Sequence, residues 1–97
     1  MRIDKFLKVS RIIKRRTLAK EVCDGDRVQI NGRKAKAGTE VKPGDTIFID
    51  FGRRQLTVRI LEVRENVRAA EAKELYEVVS EHFKTESLLA HLEDDPE

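Results

Sequence analysis

Residues 2–20, RIDKFLKVSRIIKRRTLAK, set the strongest limit on what this chain can become, because eight cations and one acid are threaded between apolar residues at helical spacing. The segment carries a net charge of +7, with only Asp4 opposing Arg2, Lys5, Lys8, Arg11, Lys14, Arg15, Arg16 and Lys20. Ile3, Phe6 and Leu7 fall at i, i+3 and i+4, which predicts a short helix over about residues 4–9 with one face committed to a core. The cations lie off that stripe. A segment that joins a core and still displays this much positive charge suits a polyanion, since phosphates relieve a repulsion that clustered Lys and Arg otherwise impose on each other.

The same spacing continues after a bend at Ser10 to Arg16. Thr17 is read as the N-cap of a second helix, with Leu18, Ala19, Val22 and Cys23 on its apolar side and Gly25 as its stop. Asp4 is read as a cap of the first helical turn that also counters the neighbouring cations. From Arg27 the period changes to two, with Val28 and Ile30 alternating against Arg27 and Gln29. Asn31-Gly32 then supplies the two positive-φ positions of a tight hairpin into Arg33–Lys36. Val41-Lys42-Pro43-Gly44-Asp45 predicts a type II turn into a strand over Thr46–Phe51. Leu56, Val58 and Ile60 predict an antiparallel return strand over Gln55–Val63. Ala72, Leu75, Tyr76, Val79 and Phe83 return to helical spacing and predict an amphipathic helix over 67–83, followed from Lys84 by a frayed turn and an acidic flexible tail.

The expected fold class is therefore α+β: two short N-terminal helices packed on a small antiparallel sheet, plus a C-terminal helix and acidic tail. The expected organisation is a compact polyanion-binding module over 1–66 and an appendage, the amphipathic helix and acidic tail, over 67–97. Ninety-seven residues hold one modest core. Charge is divided unevenly along the chain. Residues 1–59 carry 16 Lys/Arg and 7 Asp/Glu, a net +9, whereas residues 60–97 carry 4 and 11, a net −7. No apolar run reaches the roughly 18 residues of a membrane span, and the charged start lacks the apolar centre of a signal peptide, so a cytoplasmic location with no membrane partner is expected. Cys23 is the only cysteine, and His82 and His91 are the only histidines. No internal disulfide is possible, and neither a structural metal nor a cofactor is expected.

A cation run standing alone is usually a solvated helix face. Here the i, i+4 acids that such a face uses to offset repulsion are missing, and Arg11, Arg15 and Arg16 bring the planar fork suited to bidentate phosphate binding. The aromatics Phe6, Phe48, Phe51, Tyr76 and Phe83 fall mostly at core positions, without the exposed stacking pair of single-strand binders. This favours recognition of folded RNA by backbone spacing and shape; duplex DNA stays open on charge alone. Cys23 reads as a small core residue, with no nearby histidine to make it a nucleophile. Asp24-Gly25-Asp26 reads as a helix stop, because the remaining ligands of a calcium loop are absent.

Arg2-Ile3-Asp4-Lys5-Phe6-Leu7, Ser10-Arg11, Lys14 to Lys20, Gly25, Val28, Ile30-Asn31-Gly32, Lys36 and Val41 to Asp45 together resemble the S-four RNA-binding domain, named for ribosomal small-subunit protein four. The resemblance covers about residues 1–60. Within that domain family, the basic start and acidic extension look most like the RqcP (YabO) family, relatives of the small heat-shock ribosome-binding protein. The resemblance implies a non-enzymatic ribosome-associated quality-control factor that binds large-subunit rRNA and tRNA on stalled 50S ribosomal subunits and supports an RqcH-type factor in alanine tailing of nascent chains. It also implies RNA contacts at Arg2, Lys5, Arg11, Lys14, Arg15, Arg16 and Lys20, with Asn31 and Lys36 as further positions and Asp4 orienting the N-terminal arginine; Lys8, three residues after Lys5, joins the candidate RNA-binding residues from the charge pattern. A monomer is expected when free. Two other classes fit the residues: the RNA-guiding domain of an rRNA modification enzyme, and a generic nucleic-acid-binding protein. The start methionine and acidic end argue for a chain with no room for a catalytic domain.

Overall fold

A computed structural model describes residues 1–83 of the chain; the acidic end expected from Lys84 onward, with His91, lies outside the described residues. The first helix, α1, is Ile3–Val9, and the second, α2, is Arg16–Asp24. They are followed by strands β1 (Val28–Ile30), β2 (Arg33–Lys34), β3 (Thr46–Asp50) and β4 (Arg54–Ile60), a 3₁₀ segment over Ala69–Leu75, and β5 (Tyr76–Phe83). The strands form one antiparallel sheet in the order β2-β1-β3-β4-β5.

Two helices on an antiparallel sheet is the expected α+β architecture, and the strand alternation explains where the core sits. Val28, Ile30, Ile47, Ile49, Leu56, Val58 and Ile60 all face inward, and Ile3, Phe6, Leu7, Ala19 and Cys23 of the helices meet them in one buried cluster. Gln29, Phe48 and Thr57 share the opposite face through their cross-strand register. Neighbouring positions therefore point to opposite sides of the sheet.

Two turns fix the register. Asn31 (φ 52°) and Gly32 (φ 85°) both sit in the left-handed region, as the hairpin between β1 and β2 requires. Gly44 has φ 96°, and the Asp45 amide donates to the Lys42 carbonyl at 3.1 Å, closing the expected type II turn. The turns are tied to each other: the Asn31 amide nitrogen donates to Asp45 Oδ1 at 3.1 Å, and its oxygen accepts the Thr46 amide at 2.9 Å. The Lys42 amide and ammonium donate to the same Asp45 carboxylate at 3.0 and 3.2 Å.

Four local expectations are corrected. The α2 helix starts at Arg16 with Arg15 as its extended N-cap residue, so Thr17 lies inside the first turn. Leu18 is 48% exposed, because α2 packs on α1 through the narrow small-residue stripe Ala19 and Cys23 and leaves Leu18 at its margin. Helical spacing over 67–83 holds only for the 3₁₀ segment, where Ala72 and Leu75 are buried. Beyond it, Tyr76–Phe83 is a strand paired along the whole of β4 with a bulge opposite Thr57/Val58, and Val79 and Phe83 are exposed. Adjacent β-branched Val78 and Val79, with Tyr76 and Phe83, suit a strand, and β4 otherwise presents an unpaired edge. Among the aromatics, Phe6 is fully buried, Phe48, Phe51 and Tyr76 are half-buried, and Phe83 is exposed.

The Asp45 carboxyl is subject to burial, which pushes its pKa up, but the hydrogen bonds from Asn31 and Lys42 outweigh this and hold it below the usual carboxylate range. A depressed folded-state pKa means stability that is present above the ordinary carboxylate pKa and lost as pH falls through the folded value. Asp45→Asn should therefore lower Tm at neutral pH, with the difference from wild type shrinking in strongly acid buffer. Thermal melts across pH read this directly, and a difference independent of pH would remove the ionised carboxylate as its source.

Candidate nucleic-acid interface

The site is built around one buried carboxylate. Asp4 lies in the first turn of α1 and is 2% exposed, yet it makes no capping bond there; its two oxygens are taken by two arginines from different elements. The Arg2 guanidinium donates to Oδ2 at 3.3 Å, and that of Arg16, the first residue of α2, donates to Oδ1 at 3.4 Å. The arginine side chains remain 49% and 47% exposed. Each guanidinium carries five donors, so each is oriented by one bond and keeps others facing solvent.

Backbone contacts hold this arrangement in place. The Ile3 amide donates to the Thr39 carbonyl at 2.8 Å, and the Asp4 amide to the Ala37 carbonyl at 3.3 Å. Residue 2 also bridges Glu40 in antiparallel fashion, and the Arg2 guanidinium runs beside Gly38. The loop is tied to α2 as well, through the Ala37 amide donating to Asp24 at 3.2 Å. Between the helices, Ser10 is buried and its hydroxyl donates to the Leu7 carbonyl at 3.2 Å, while Ile13 is buried and anchors the bend. Arg11 takes a left-handed conformation (φ 62°) in that bend, costing on the order of 1–2 kcal/mol for a residue with a Cβ.

Around this pair, Lys8, Arg11, Lys14, Arg15 and Lys20 are exposed, and none has a carboxylate partner among the described residues. Lys14, Arg15 and Arg16 gather at the N-terminal end of α2, where no side chain caps the helix and no acid stands in the first turn. Cations there oppose the positive end of the helix dipole, a conflict that a bound anion resolves.

The other predicted positions are engaged differently. Lys5 is ion-paired with Glu65, from the segment after β4. Lys36 donates to Asp26 at 3.0 Å, which holds the Asp26 carboxyl below its ordinary range. Both polar atoms of the Asn31 side chain are used inside the protein. Sequence reasoning missed the acids Glu65, Asp26 and Glu40, the last accepting from the Met1 amino group at 2.9 Å. Separations of 60, 10 and 39 residues leave no local pattern to find them by. Cys23 is buried under the site, and burial, aided by Asp4 and Asp24, pushes its thiol up to about 11, so it stays protonated at neutral pH.

A two-helix arginine face mounted on a small antiparallel sheet defines an S4-type RNA-binding protein, and residues 1–47 match the S4 domain family. The chain is 62% identical over 81 residues to the RQC P-site tRNA stabilizing factor of Halalkalibacterium halodurans, covering 84% of this chain and 92% of that one. It is 52% identical to the protein of the same name in Bacillus subtilis, covering 84% and 94%. Among solved structures, heat shock protein 15 of Vibrio cholerae, described as trimeric, is similar at TM-score 0.76 and 33% identity, covering 82% of each chain. The chain belongs to the S4-domain family of RQC P-site tRNA stabilizing factors.

Removing Arg2 and Arg16 together leaves a buried carboxylate without a partner. The double variant Arg2→Ala/Arg16→Ala should lose about 1–3 kcal/mol of stability, and adding Asp4→Asn should return part of it. Urea unfolding followed by circular dichroism reads both steps; a double variant as stable as wild type would show that Asp4 does not depend on these arginines.

Proposed function

We propose that this chain is a non-enzymatic RNA-binding factor of ribosome-associated quality control. Its arginine face binds the phosphate backbone of tRNA and large-subunit rRNA on stalled 50S particles, and so supports an RqcH-type factor in tailing the nascent chain. The observation that carries this reading is the pair of half-exposed arginines held on one buried carboxylate inside a field of unopposed cations. The relatives at 62% and 52% identity, named RQC P-site tRNA stabilizing factors, supply the ribosomal context.

The geometry fits phosphate reading better than base reading. Arg2 and Arg16 are fixed relative to each other, so they match a set spacing of phosphates, and the surrounding cations add affinity without specifying bases. The proposed contact set is Arg2, Lys8, Arg11, Lys14, Arg15, Arg16 and Lys20, with Lys5, Asn31 and Lys36 at its margin and Asp4 as the residue that orients the arginines. The protein is proposed to act in the cytoplasm, where ribosomes are, and as a monomer when free.

Arg16→Ala and Arg2→Ala, made singly, should each weaken association with 50S particles carrying tRNA by roughly 3- to 30-fold, while leaving the fold intact. Sucrose-gradient sedimentation with circular dichroism as control is the measurement, and unchanged co-migration would remove these arginines from the site. Affinity should also fall steeply with salt, with a log–log slope of about −0.7 to −0.9 per phosphate neutralised. A salt-insensitive complex would count against backbone recognition.

A further inference from the structure

Beside Arg2 and Arg16, which share Asp4, the cations of the arginine face fall into two groups. Lys8, Arg11, Lys14, Arg15 and Lys20 have no carboxylate partner among the described residues, whereas Lys5, on the same helix as Lys8, is ion-paired with Glu65. Glu65 lies outside the 1–47 segment that matches the S4 domain, in the connection between β4 and the 3₁₀ segment. Its side chain is 68% exposed and reaches across the fold to a lysine 60 residues earlier.

We infer that Glu65 is a positioning residue that withholds Lys5 from the RNA-binding face, so that this lysine meets a phosphate only by giving up its carboxylate. The inference rests on the proposed function of that face. Two observations and one physical argument support it. Lys5 is one of the N-terminal cations and sits one helical turn from the unopposed Lys8, from which its ion pair and its partial burial set it apart. The Lys5 ammonium also holds the Glu65 carboxyl below its ordinary range, first through the hydrogen bond and then through its charge, which favours the anionic form that the pair needs. Finally, a carboxylate at the rim of a phosphate-binding surface repels the incoming backbone as well as occupying the lysine.

An exposed ion pair of this kind is weak, which suits a restraint that a well-placed phosphate can displace. A generic polyanion must overcome both the pair and the repulsion from Glu65. The segment after β4 therefore tunes a module whose positive charge comes from the first twenty residues.

Charge-neutral Glu65→Gln, combined with Lys5→Gln in a double-mutant cycle, tests this. The probe is purified 50S particles carrying tRNA, titrated at several salt concentrations. Glu65→Gln should tighten binding about two- to five-fold and steepen the log–log salt slope by about 0.7–0.9, because one further phosphate is neutralised. Lys5→Gln should abolish the gain that Glu65→Gln gives, so that the two substitutions are non-additive in the cycle. Unchanged affinity and slope in Glu65→Gln, whether or not its Tm falls, would overturn the inference and leave the pair as a structural contact. Arg16→Ala on the same particles separates this from the wider reading: weakening by Arg16→Ala with no response to Glu65→Gln sinks the Glu65 role alone, and no response to either sinks the arginine face itself.

Discussion

The carboxylate of Asp4 is the point on which the rest of the functional surface depends. It is buried within the first turn of α1, and each of its oxygens receives a guanidinium from a different part of the chain. Neither arginine is itself buried, so the electrostatic stabilisation runs one way: the exposed cations satisfy a buried anion, and the anion fixes where the cations stand. A flexible arginine side chain loses much rotamer freedom on binding phosphate. Here part of that ordering already belongs to the folded state.

That arrangement needs a scaffold that brings residue 2 and residue 16 to one place. Packing of α1 on α2 through Ala19 and Cys23 supplies the close approach, and the loop at 37–40 receives the backbone of residues 3 and 4. The loop is in turn held between α2, through Asp24, and the β1–β2 hairpin. The Asn31–Asp45 contact then locks the hairpin to the turn before β3. The sheet thus serves the arginine face indirectly, by fixing the loop against which the N-terminus lies. Acids are sorted by position as well. Glu40, Asp26 and Glu65 each engage a cation at the margin, whereas the start of α2 has no acid in its first turn.

Much of this was legible in residue pattern because the signals are local. The i, i+3, i+4 spacing of Ile3, Phe6 and Leu7 fixes which way α1 faces, and Asn31-Gly32 and Pro43-Gly44 specify turns through backbone geometry that few other residues adopt. The inward alternation of Leu56, Val58 and Ile60 likewise needs no tertiary knowledge. In sequence the segment 76–83 looks helical because Ala72, Leu75, Tyr76, Val79 and Phe83 satisfy a helical period by coincidence. What decides the matter is the open edge of β4, and an edge is a property of the assembled sheet. The exposure of Leu18 escapes sequence pattern for a related reason, since the width of a helix's buried stripe depends on the neighbour it meets.

Local residue chemistry suffices to put an unbalanced positive charge on a core-forming helical pattern in the first twenty residues, and to build a small antiparallel sheet from the turns downstream. Charge count, apolar period and φ preference are all written within a few residues of one another. Which cations are held and which are left open is settled by the assembled fold. It gave Arg2 and Arg16 to one buried carboxylate, Lys5 to Glu65 and Lys36 to Asp26. An ion pair across a fold depends on distance in space, falling as the inverse of separation and vanishing into solvent beyond about 10 Å, and separation along the chain carries no record of it.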